Sequence, residues 1–133
     1  MEGSRRGFIA RVLMVIGTLV WLPGVVGAKK KKVAVSLKKI PKLNTVGGAT
    51  ILKLKKKMIL FVRTTNTDVT AVSALCTHDS CQLLYNPSSK RIECVCHGSH
   101  FTPDGKVLGG PAKSNLHNFE AKLVDEKIVL NIG

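Results

Sequence analysis

Cys76-Thr77-His78-Asp79-Ser80-Cys81 is followed, after twelve further residues, by Cys94-Val95-Cys96-His97-Gly98-Ser99, and these two boxes hold every cysteine and two of the four histidines. Thiols grouped within 21 residues point to one localised site rather than to a disulfide scaffold spread through the chain. Any fold for this sequence must bring the two boxes together. They divide into a Cys-x-His pair (Cys76, His78) and a Cys-x-x-His pair (Cys94, His97), with Cys81 and Cys96 left as one spare cysteine beside each pair. The set offers two thiolates, two imidazoles and one possible disulfide.

Around the boxes the apolar residues alternate over short stretches, at 33–37, 49–55, 58–63, 69–75, 116–123 and 127–132, which predicts strands. Residues 51–62 read as a hairpin with a lysine tip, and 124–127 as the turn of another. No stretch has a convincing helical period, and there is no internal repeat. Turn residues at 86–89, 103–105 and 109–111 place both boxes in loops at strand ends. The expected fold is all-β, and sandwich and small barrel are equally compatible with it. Once an apolar N-terminal stretch is set aside, about a hundred residues remain for the core, a size that gains from a covalent or metal staple.

That stretch runs from Val12 to Ala28, broken only by Pro23-Gly24, and is led by Ser4-Arg5-Arg6-Gly7-Phe8-Ile9. The arginine pair resembles the twin-arginine export class, which carries proteins already folded around their cofactors. Residues 1–28 therefore read as a twin-arginine signal or a signal anchor, 29–32 as a basic junction and 33–133 as the folded domain. Small residues at Val26-Gly27-Ala28 suit a signal peptidase, while the length suits a short membrane anchor, so both readings stand. The expected location is a bacterial-type inner membrane facing the periplasm, or the periplasm itself if the signal is cleaved.

The net charge of +13 falls only to +11 without the first 28 residues. Nucleic acid is not the expected partner, because aromatic residues are 5% of the chain and no recognition helix or stacking platform is present. An acidic protein or an anionic membrane surface fits such a charge, as does a set of lysines that simply solvates strand faces and edges.

Zinc accepts two thiolates and two imidazoles, so a structural zinc site or a disulfide-stabilised binding module is one reading. The single residue between Cys76 and His78 is short for zinc ligands, and the spare cysteines have no role there. A two-iron cluster with one iron on two cysteines and the other on two histidines uses the four ligands, and neutral imidazoles in place of thiolates make accepting an electron easier.

Cys-Thr-His-x-x-Cys, Cys-x-Cys-His-Gly-Ser and the later Gly109-Gly110-Pro111-Ala112 resemble the Rieske iron–sulfur proteins of the disulfide-containing, high-potential branch. The resemblance implies a small antiparallel domain with a cluster-binding loop subdomain and one [2Fe-2S] cluster. It implies Cys76 and Cys94 on the inner iron, His78 and His97 on the outer, solvent-facing iron, and a disulfide between Cys81 and Cys96. It further implies that Gly110 and Pro111 lie in a third loop over the cluster, and that Ser99 donates a hydrogen bond to a cluster sulfide and so favours the reduced state.

The function this implies is one-electron transfer, as the iron–sulfur subunit of a membrane quinol:cytochrome c reductase-like complex. His97 and His78 would then face quinol, with a cytochrome b-type membrane subunit and a cytochrome or other acidic redox protein as partners. The chain would be a component of an oxidoreductase rather than an enzyme alone. The small cluster subunit of a periplasmic oxidase, or a free periplasmic carrier, is the alternative. Three features depart from quinol-oxidising members: Phe101 stands where Tyr is common, Asp79 stands where an apolar residue usually follows the first histidine, and the junction is too short for a swinging hinge. His100 and His117 match no ligand spacing and read as surface residues.

Overall fold

A computed structural model describes residues 31–133, so the apolar run at 12–28 and its signal-or-anchor reading lie outside the described residues. Eleven strands occur in the described chain. They are β1 (Lys32–Ser36), β2 (Ala49–Leu54), β3 (Lys57–Arg63), β4 (Val69–Ser73), β5 (Leu83–Asn86), β6 (Arg91–Cys94), β7 (His100–Phe101), β8 (Val107–Gly109), β9 (Asn118–Phe119), β10 (Ala121–Val124) and β11 (Lys127–Asn131). Two 3-10 turns, Leu37–Lys39 and Pro41–Leu43, connect β1 to β2. Among the described residues no helix is long and apolar enough to cross a membrane.

The strands form three antiparallel sheets, in the orders β1-β11-β10, β2-β3-β4-β9 and β5-β6-β7-β8. Alternation along β3 explains the layering. Ile59 and Phe61 face one core with Leu37, Leu43, Ile128 and Leu130, whereas Leu60 and Val62 face a second core with Leu83, Ile92, Phe101 and Leu116. The middle sheet is thus covered on both faces, which is why Met58-Ile59-Leu60-Phe61-Val62 is an unbroken apolar run rather than an alternating one. Burying each such side chain is worth about 1.5–3 kcal/mol. Three stacked sheets resolve the choice between sandwich and barrel in favour of layers.

The expected hairpins form with two-residue turns, Lys55–Lys56 between β2 and β3 and Asp125–Glu126 between β10 and β11. Other expectations need correction. The strand expected at 116–123 breaks at Glu120, because the chain leaves the middle sheet as β9 and enters the terminal sheet as β10. The strand expected to run to residue 75 stops at Ser73, beyond which Leu75 makes only a single bridge to Gln82 before the first box turns away. The whole β5–β8 sheet, which carries the boxes, is absent from the strand reading. Its strands are 2 to 4 residues long, too short to show a period.

Candidate metal centre

Both boxes fold into the same turn. In the first, the Cys76 N–H donates to the Cys81 carbonyl at 2.8 Å and the Ser80 N–H donates to the Cys76 carbonyl at 2.9 Å. In the second, the Cys94 N–H donates to the Ser99 carbonyl at 2.8 Å and the Gly98 N–H to the Cys94 carbonyl at 3.0 Å. The residue four after each leading cysteine is left-handed, Ser80 with φ 49° and Gly98 with φ 75°. Superposing the turns in sequence sets Cys76 with Cys94 and His78 with Cys96.

The shared turn points the side chains in opposite directions. Cys76 and Cys94 are free thiols, 3% and 2% exposed, at the edge of the second core. His78 and His97 are exposed, and their ring centroids lie 5.0 Å apart, edge to face. Cys81 and Cys96 are joined as a disulfide, with Cα atoms 6.5 Å apart, which ties the second half of one turn to the first half of the other. The Cys94 sulfur lies within 4.8 Å of those two sulfurs. That trio is not a ligand set, because Cys81 and Cys96 are spent on each other.

Asp79 follows His78 in sequence but faces the other imidazole: its Oδ2 lies 3.8 Å from His97 Nε2. A third loop fastens the other two. The Ala112 N–H donates to Ser99 Oγ at 3.1 Å, and Thr77 Oγ1 donates to the Ser114 carbonyl at 2.9 Å. Gly110, at φ +87°, crosses so close to the second box that a Cβ there would sit 2.4 Å from Ser99 Cα. Pro111 beside it is exposed. Ser114 carries no signal in the sequence, since a backbone carbonyl acceptor can belong to any residue.

His100 corrects the reading of it as a surface residue. It is half-buried, its Nδ1 lies 3.2 Å from the Gly98 carbonyl, and its ring packs against Gly109, where a Cβ would come within 2.9 Å of it. His117 is exposed and stacks edge to face on Phe119.

Comparison with known proteins gives this geometry a family. A family model described as Rieske [2Fe-2S] domain matches residues 31–120. The chain belongs to the Rieske family. The cytochrome b6-f complex iron–sulfur subunit of Chlorobaculum tepidum is 31% identical over 142 residues, covering 100% of this chain and 78% of that protein. Other curated relatives are matched over less than two thirds of their length. Among solved structures, the plasma membrane Rieske protein of Synechocystis is 28% identical with a TM-score of 0.61, covering 74% of this chain and 98% of that one. A hyperthermophilic respiratory Complex III chain is 29% identical with a TM-score of 0.56, covering 78% and 75%.

A Rieske domain carries one [2Fe-2S] cluster, and the donor set here fits that group. Two buried thiols remain outside the disulfide, and the two exposed imidazoles of the same boxes lie against each other. Ser99 adds an independent sign. Its hydroxyl is fully buried and accepts from the Ala112 N–H, yet among the described residues its own proton reaches no protein acceptor. A buried O–H donor left over in the second box is suited to an anionic sulfide, since a donor without an acceptor costs about 1–3 kcal/mol.

Proposed function

We propose that this Rieske protein is the iron–sulfur subunit of a membrane quinol:cytochrome c reductase-type complex, with Cys76, Cys94, His78 and His97 as the cluster ligands. The polarity of the site carries the reading: both thiols are buried and both imidazoles are open to solvent. Whatever the four residues hold is reachable from the imidazole side alone. When bound, the cluster supplies a one-electron couple near that surface.

The protein's own residues then do three things. The second core excludes water behind Cys76 and Cys94. The disulfide and the third loop hold the two boxes in register. An exposed imidazole edge accepts a hydrogen bond, and then a proton, from a hydroquinone hydroxyl, while Asp79 keeps a carboxylate beside the same edge. The full-length likeness to a cytochrome b6-f subunit favours the complex over an oxidase subunit or a free carrier. It also favours a membrane location, and the apolar run at 12–28 behind its arginine pair supports an anchor there with the domain on the periplasmic side.

Native membranes solubilised in mild detergent test the assignment. The expected result is a b-type cytochrome copurifying with this chain, and an EPR signal on reduction that His78→Ser and His97→Ser each abolish. Full-length protein that stays colourless after anaerobic reconstitution with iron and sulfide would sink the ligand assignment. A coloured protein with no cytochrome partner would sink the complex alone.

A further inference from the structure

The excess positive charge is not spread evenly over the molecule. The turn between β2 and β3 carries Lys53, Lys55, Lys56 and Lys57, all exposed. Lys57 Nζ donates to the Ile132 carbonyl at 3.2 Å, and the Ile132 N–H donates to the Lys31 carbonyl at 2.9 Å. Two hydrogen bonds thus link the lysine turn to the point where the described chain begins. Lys31 and Lys32, both exposed, lie there, with Lys122 on the same outer sheet face as Lys32. The acid at this end is Glu120, which receives the Asn131 amide at 3.5 Å. Among the described residues, Lys31, Lys32, Lys53, Lys55 and Lys56 make no ion pair. The apolar run at 12–28 ends three residues before Lys31 in sequence.

The opposite ends of the same two sheets are mixed in charge. There Lys38 pairs with Glu126 at 3.9 Å, and Lys90 lies in the β5–β6 turn, whose Pro87 neighbours Gly47. The lysine turn is also costly to build. Lys55 and Lys56 are both left-handed, at φ 43° and 70°, where two-residue hairpins favour Asn-Gly. Asp125–Glu126 adopts the same conformation, but there the Glu126 carboxylate lies 3.9 Å from Lys38 Nζ, while the Glu126 backbone carbonyl accepts the Leu37 N–H. Among the described residues the side chains of Lys55 and Lys56 have no such partner.

We infer that this end of the domain is a docking surface for an anionic lipid bilayer, with Lys31, Lys32, Lys53, Lys55 and Lys56 lying against headgroup phosphates. The inference rests in part on the proposed anchor, because a membrane-held run ending at residue 28 keeps Lys31 within a few residues of the bilayer. An apolar anchor fixes one point of the domain, and lysines around that point fix its tilt. Each lysine near an anionic surface adds attraction that decays within a Debye length of about 8–10 Å.

The test uses the full chain with vesicles of phosphatidylcholine alone or of phosphatidylcholine and phosphatidylglycerol in equal parts, read by flotation and by amine acetylation mapped with mass spectrometry. In the anionic vesicles Lys53, Lys55 and Lys56 should be protected relative to Lys39 and Lys90. Protection should vanish in phosphatidylcholine alone and at a salt concentration that shortens the Debye length to about 3 Å. Lys55→Asn with Lys56→Gly removes two charges while giving the turn residues it favours, so unfolding cannot explain its effect. It should lower the ratio of docked to undocked protein about 30-fold and expose Lys53.

A chain that floats with both lipids but labels uniformly overturns the docking surface and leaves the anchor standing; the lysines would then belong to an acidic protein partner. One that floats only with anionic vesicles, and comes off in salt, supports the docking surface and removes the anchor. Failure to float with either overturns both.

Discussion

Ser80 shows how a single backbone angle can be tested. It occupies in the first box the left-handed position that Gly98 occupies in the second, and left-handed backbone costs a non-glycine residue about 1–2 kcal/mol. Glycine recovers that while adding unfolded-chain entropy, so Ser80→Gly should stabilise the protein by about 0.5–1 kcal/mol in a denaturant titration. Phe101 is fully buried in the same core as Cys76 and Cys94. If Phe101→Tyr places a hydroxyl where it donates to a cluster cysteine, the potential should rise by about 20–65 mV, the one-electron equivalent of a hydrogen bond worth about 0.5–1.5 kcal/mol. A redox titration that shows no shift would put the new hydroxyl elsewhere. Asp79 marks the limit of sequence at this scale. Its neighbour along the chain is His78, but the turn reverses direction and delivers its carboxylate to His97.

At the scale of elements, strands with long apolar stretches are legible and the site-bearing sheet is not. β3 and β11 announce themselves because five or more residues follow one rule. β7 consists of His100–Phe101 alone, and a period needs more residues than that. Glycine and proline clusters mark the loops between these short strands, so the sequence places the boxes in loops while nothing in it marks the sheet beneath them. Arg63, at the end of β3, holds a connection that no pattern reveals. The residue is 9% exposed, and its guanidinium donates to the carbonyls of Leu43 at 3.2 Å and Thr65 at 2.7 Å, and also to that of Asn66. Arg63→Leu should cost about 2–4 kcal/mol by thermal or urea unfolding, since it strands three acceptors. Arg63→Lys should recover only part of that, having one ammonium in place of a planar fork.

For the whole molecule, the disulfide is the covalent link between the two boxes, and it closes a loop with a sequence separation of 15. Replacing Cys81 and Cys96 together by serine should lower stability by about 3 kcal/mol in a urea titration of protein kept under oxidising conditions. An unchanged midpoint would mean that the hydrogen-bonded loops alone set the geometry. Those loops also impose an order of events. The third loop reaches the first across 37 residues and the second across 13, so its closure depends on chain that arrives well after either box. Contacts of long sequence separation form late, after the entropy of closing the intervening chain has been overcome. Ala112 packs into the same core as Cys76 and Cys94, so docking of the third loop completes the burial of both thiols. Filling this centre is therefore coupled to folding, and iron and sulfide should enter faster while the third loop is open than after it has closed.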